Sequence, residues 1–182
     1  MLLTFSIRFF LMQIPMFSGM ALNISLLSLQ LRSLRFDEPS CLQLCTVLAK
    51  VSTLTSLNLH DCSMGSNGAF LIACKVRLLT DRLKFLDLTG ISMGPVSAIQ
   101  IGNILTSHSK HTYIHTYKHT YTKSLRATSS GEAIADPDCA VQTLRIARND
   151  IMDEGGFYVC KGLMGNTSLT ELDVGYNHLG RL

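Results

Sequence analysis

One pattern recurs along this 182-residue chain at a nearly fixed interval, and it restricts the fold more than any bulk property. In Leu54-x-x-Leu57-x-Leu59-x-x-Cys62-x-Met64, followed by Gly68, apolar residues hold fixed places. The same places are filled by Leu83, Leu86, Leu88, Ile91, Met93 and Ser97, and by Val141, Leu144, Ile146, Asn149, Ile151 and Gly155. Leu169, Leu172, Val174, Asn177 and Leu179 fit again, and Leu26, Leu29, Leu31, Leu34, Phe36 and Ser40 fit more loosely. The starts at 26, 54, 83, 141 and 169 differ by 28, 29, 58 and 28, and 58 is twice 29. A period of this size means one supersecondary unit repeated.

The spacing assigns structure within each unit. Side chains alternate along a strand, so Leu57 and Leu59 share one face and Asn58 the other. Beyond the turn the apolar spacing becomes helical. Cys41, Leu44, Cys45 and Leu48 form one stripe; Phe157, Cys160 and Met164 form another, with Val159 and Leu163 alongside. No strand-loop-helix unit buries its apolar face alone, so stacked units share a core between a parallel sheet and a helix layer. Asn149 and Asn177 follow the strand, where a carboxamide can bond the backbone of the turn and of the neighbouring unit. Cys62 holds that place with a weak donor. Leu34 and Ile91 cannot bond at all, which predicts irregular turns there.

Composition fits a packed chain. Hydrophobic residues make up 47%, charged residues 16%, and Trp is absent, so the core is aliphatic. A net charge of +3, scattered, excludes a basic nucleic-acid stripe. The six cysteines include no C-x-x-C pair and read as reduced, buried thiols, which with the rest predicts a cytoplasmic protein. Residues 1–22 are apolar but broken by Arg8, Gln13 and Pro15, a poor membrane span. They read as a leader or as a degenerate cap on the first unit. The sequons at Asn23 and Asn166 matter only in a secreted chain.

The long interval contains a tetrapeptide period, His-Thr-Tyr-Ile, His-Thr-Tyr-Lys, His-Thr-Tyr-Thr, over residues 111–122. A unit starting at 112 would need apolar residues where Thr112 and His115 stand. The segment is thus an insertion, or a unit that has lost its strand. His111, His115 and His119 would share one helix face and could bind zinc. However, Thr and Tyr are mediocre helix formers and no nearby Cys or carboxylate completes a site, so a solvated loop is favoured and no metal or cofactor is assigned.

The motif L-x-x-L-x-L-x-x-[N/C], with its 28–29-residue period, resembles the ribonuclease-inhibitor-like class of leucine-rich repeats, over residues 26–105 and 139–182. That class includes NOD-like receptor sensor regions and the Ran GTPase-activating protein. The resemblance implies an α/β horseshoe segment, with parallel strands on the concave face and helices on the convex face. It has about five repeats and one insertion. Residues 1–25 are then a leader or degenerate cap, 26–110 hold repeats 1–3, 111–130 the insertion, and 131–182 repeats 4–5, the last lacking its helix.

No catalytic motif is present: no G-x-S-x-G, P-loop or H-E-x-x-H. The informative residues lie between the leucines, on the concave face: Asn58, His60, Asp61, Phe85, Asp87, Arg145, Arg148, Glu171, Asp173 and Tyr176. Interfaces favour aromatic and Arg anchors. These ten residues are the expected contacts for a protein partner, in a non-catalytic scaffold. A NOD-like receptor sensor fragment and a GTPase-activating repeat protein are the alternatives. Nucleic acid is not expected, nor is a membrane unless residues 1–22 are a signal or anchor. The open edge after the fifth strand predicts self-association.

Overall fold

A computed structural model describes residues 25–105 and 139–180, with the backbone of residues 4–7. It contains β1 (Thr4–Ile7), β2 (Ser28–Leu31), α1 (Glu38–Lys50), β3 (Ser56–Asn58) and α2 (Gly65–Val76). These are followed by a 3-10 turn (Arg77–Leu79), β4 (Phe85–Asp87), α3 (Pro95–Leu105), β5 (Thr143–Arg145), α4 (Met152–Leu163) and β6 (Glu171–Asp173). All six strands lie parallel in one sheet, in sequence order. Five fall on the Leu-x-Leu positions of the motif. The sixth, β1, aligns Phe5 with Leu29 and Ile7 with Leu31.

The motif leucines form the core. Leu29, Leu31, Leu57, Leu59, Leu86, Leu88, Leu144 and Ile146 are all buried, facing buried helix residues such as Leu44, Ile72 and Ile101. Helix α1 begins and ends for local reasons. The α1 N-cap is Asp37, whose Oδ1 accepts the Ser40 N–H at 2.9 Å, and Lys50 in its last turn complements the helix dipole. Hydrogen bonding by the Ser40 side chain, and then by its N–H, holds the Asp37 carboxyl below its ordinary pKa.

The 58-residue interval leaves no gap in the sheet. β4 pairs directly with β5, Leu86 opposite Leu144, so no strand stands between them. The His-Thr-Tyr segment, with His111, His115 and His119, lies outside the described residues, as do residues 8–24 and the Asn23 sequon.

At this junction α3 and α4 meet on glycines. A Cβ on Gly102 would strike the carbonyl of Tyr158, and one on Gly162 the carbonyl of Gly102; one on Gly155 would lie 2.7 Å from the Ala98 methyl. This contact corrects the helical stripe expected for α4. Phe157, Cys160 and Met164 face solvent, while Val159 is buried and Leu163 half-buried. Helices this close leave no room for a Cβ at Gly102, Gly155 or Gly162, so this face of α4 has glycines in place of large side chains, while Gly156 is covered by the Leu179 side chain.

A corner recurs after β2 to β6; the turn at Leu34 keeps it and is not the irregular one expected, whereas the turn at Ile91 is irregular, with a further left-handed residue at Ser92 (φ 69). One residue after each strand is left-handed: Ser33 (φ 56), Asp61 (φ 54), Gly90 (φ 66), Arg148 (φ 53) and Tyr176 (φ 55). Non-glycine residues enter this region at some strain. Here the corner N–H is anchored on the next repeat: Ser33 to His60 O at 3.0 Å, Asp61 to Thr89 O at 2.8 Å, Gly90 to Ala147 O at 3.0 Å and Arg148 to Gly175 O at 2.8 Å. Ile91 makes no side-chain bond, but the Asn149 Oδ1 of the next repeat accepts its N–H at 3.1 Å and that of Met93 at 2.9 Å.

Candidate binding face

Strand alternation turns residues 28, 30, 56, 58, 85, 87, 143, 145, 171 and 173 away from the leucine core, but not all remain available. Asn58 is 7% exposed and Asp87 2%. The Oδ1 of each accepts a main-chain N–H two residues on, from His60 and Thr89, both at 3.0 Å. Asp173 does the same for Gly175 at 3.0 Å but stays exposed. These Asx turns set the chain's exit from the strand. Asn58 is therefore a turn residue with little surface to offer a partner.

Beyond the strand ends a charged network spans the repeats. The His60 ring lies between two carboxylates, with Nε2 3.3 Å from Asp61 and Nδ1 3.6 Å from Asp87. Arg148 reaches Asp61 at 3.8 Å. The pair crosses the intervening repeat at Gly90, where a Cβ would lie 2.5 Å from the Asp61 Oδ1. Arg145 donates to Glu171 Oε1 from Nε at 3.0 Å and Nη2 at 2.7 Å, and its guanidinium carbon sits 5.6 Å from the Phe85 ring centroid. The Glu171 bond raises the Arg145 pKa above its ordinary value. An Arg held by a carboxylate and an aromatic ring is pre-organised.

Together these groups enclose a shallow cleft of ≈ 380 Å³. Seven of the ten expected residues line it: His60, Asp87, Arg145, Arg148, Glu171, Asp173 and Tyr176. Asp61 pairs with two of the lining residues, Phe85 lies beneath Arg145, and Asn58 is buried. Tyr176 projects from its left-handed corner, 87% exposed. The expected residues omitted Arg32, Thr89 and Ala147, which also line the cleft. Arg32 belongs to the loosest repeat; Thr89 and Ala147 are small, and only the column they share with His60 could have shown them to be floor.

Among the described residues no group of three or more His, Cys, Asp or Glu could hold a metal ion, and no helix is long and apolar enough to cross a membrane. The Asn166 sequon is occupied internally. Its Nδ2 donates to Leu105 O at 3.0 Å, closing the end of α3, while its Oδ1 accepts from Leu169 N at 2.8 Å and Ser168 N at 3.0 Å. A glycan on that nitrogen would compete with the bond to Leu105. Burial pushes the Cys41 thiol up to about 12 and those of Cys45 and Cys62 up to about 11, and the six cysteines are free.

A family model described as Leucine Rich repeat matches residues 52–73, 139–160 and 165–181, covering the second repeat and the two that follow the interval. With the parallel sheet and its alternating helices, these matches show a leucine-rich-repeat solenoid fold. No curated protein matches it.

Proposed function

We propose that this protein is a non-catalytic interaction scaffold that engages a partner protein through the concave cleft. The observation that carries the reading is the pairing of Tyr176, projecting from its corner, with the braced Arg145 beside it. Aromatic and Arg side chains are the usual anchors of protein interfaces, and those held rigid before binding lose little entropy on contact. The ribonuclease-inhibitor-like subclass is our finer reading, supported by the 28–29-residue period and a full helix in four of the repeats. The free thiols, three of them buried, support a cytoplasmic location.

The test is affinity capture with the full chain, run in parallel with a Tyr176→Ala/Arg145→Glu variant and a Phe157→Ser variant on the convex side. A partner that is lost with the concave variant and kept with the convex one supports the reading. Each anchor should account for at least about tenfold in affinity, a loss above roughly 1 kcal/mol. Capture that is indifferent to the concave substitutions would refute it.

A further inference from the structure

The parallel topology gives the solenoid two edges, and charge is divided between them. Every helix C-terminus and every strand N-terminus lie on one edge, with the opposite ends on the other. On the first edge stand Lys50, Lys75, Arg77 and Lys161, in the last turns of helices, and Lys84, immediately before β4. Among the described residues none of these five is in an ion pair. Asp81 on this edge pairs with Arg82 at 3.7 Å, and Glu171 is turned to Arg145. The second edge holds Asp37, Glu38, Asp150, Asp153 and Glu154 at helix N-termini, alongside Arg32, Arg35 and Arg148 in the strand-to-helix loops, so carboxylates predominate there.

Helix dipoles favour cations at C-termini, which explains each lysine singly. They do not explain the apolar side chains beside them. Leu78 and Met164, just beyond the last residues of α2 and α4, are 65% and 88% exposed on this same edge. Cations alternating with projecting aliphatic groups, and without aromatic platforms, suit a lipid interface. The aliphatic groups enter below the headgroups while Lys and Arg meet the phosphates. A single-stranded nucleic acid would call for several stacking aromatics, whereas Phe85, at the start of β4, already lies beneath the Arg145 guanidinium.

We propose that this basic edge docks on an anionic phospholipid surface, leaving the concave cleft open for a partner. The site is peripheral and involves no membrane-spanning helix. It is independent of the interaction reading, because no residue of the cleft takes part.

The test is co-sedimentation of the full chain with vesicles of phosphatidylcholine alone and of phosphatidylcholine mixed with phosphatidylserine. Binding is expected only to the mixed vesicles, falling as salt is raised. Each cation near the surface contributes about fivefold, so Arg77→Gln/Lys161→Gln should weaken partition about 25-fold. Leu78→Ser should weaken it further, whereas Arg148→Glu/Tyr176→Ala should leave it unchanged. Lys50→Gln/Lys84→Gln is a second charge pair, with far-ultraviolet circular dichroism confirming that each variant folds. Equal binding to both vesicle types, no binding to either, or insensitivity to both charge pairs would overturn the proposal. So would retention of RNA by the same edge without vesicle binding, or self-association at low salt in its place.

Discussion

Replacing Asn149 by alanine should uncouple the two halves of the solenoid. Its carboxamide makes five hydrogen bonds: Nδ2 to Leu88 O and Ile146 O at 2.9 Å and to Ala147 O at 3.1 Å, and Oδ1 from Ile91 N at 3.1 Å and Met93 N at 2.9 Å. Three of these cross to the preceding repeat, and the residue is buried. Alanine would leave the Ile91 and Met93 N–H groups and the Leu88 carbonyl without that partner, at about 1–3 kcal/mol for each buried group. The expected loss is about 3–9 kcal/mol, a large share of a total near 5–15 kcal/mol. Asn177 supplies the internal control. Its Nδ2 bonds Ile146 O at 2.8 Å, Val174 O at 2.9 Å and Gly175 O at 3.3 Å, but its Oδ1 has no partner among the described residues. Asn177→Ala should cost roughly 1–2 kcal/mol. Urea unfolding of both variants measures the difference, and amide exchange at Ile91 and Met93 localises it. Equal losses, or an Asn149→Ala loss below about 1 kcal/mol, would refute the hydrogen-bond accounting.

Further outcomes follow from the same geometry. Excising residues 109–137, which restores the 29-residue period between Leu83 and Val141, should preserve cooperative unfolding and raise stability by up to about 2 kcal/mol through loop entropy; a chain that no longer unfolds cooperatively would count against it. Gly102→Ala should destabilise by roughly 1–3 kcal/mol because its Cβ meets the Tyr158 backbone, whereas Gly94→Ala, with nothing within 4 Å, should be near neutral in thermal melts. The Asp37 pKa is lowered in the fold, so its capping contribution is present above the ordinary carboxylate value of 3.8 and is lost as pH falls through the folded value; an NMR titration of Asp37 checks this, and Asp37→Asn should remove that part of the acid dependence. Cys160 is exposed, so it should react with a maleimide well before Cys41 or Cys62, whose buried thiols have raised pKa values; mass spectrometry of the labelled peptides decides it.

The sequence made some features legible and hid others, for physical reasons. Leu57 and Leu59, or Leu144 and Ile146, announce strands because alternation and period coincide. The 58-residue interval was ambiguous: length alone cannot say whether a strand stands in it, and only the β4–β5 pairing decides. Phe157 and Met164 looked like core because they are large and helically spaced, yet the glycines at 155, 156 and 162 draw α4 inward along another stripe. Asn58 and Asp87 were read as partner contacts, although short polar side chains beside a turn commonly bond their own backbone. The β1 strand had a signal in Leu2-x-x-Phe5-x-Ile7, the motif spacing, which the apolar run around it obscured. Arg148 meeting Asp61 over Gly90 depends on which repeats stack, and no local pattern encodes that.

The junction between α3 and α4 has a kinetic meaning. Repeats 1 to 3 find one another over separations near 28 residues, as do repeats 4 and 5, whereas Asn149 must find Ile91 across 58. Growth from nearest neighbours is the natural folding route of such arrays. Two short stacks would then form first, with the Asn149 bolt and the glycine-to-backbone seam closing last between them. Slow refolding, and the intermediates captured during it, should therefore divide the chain at this seam.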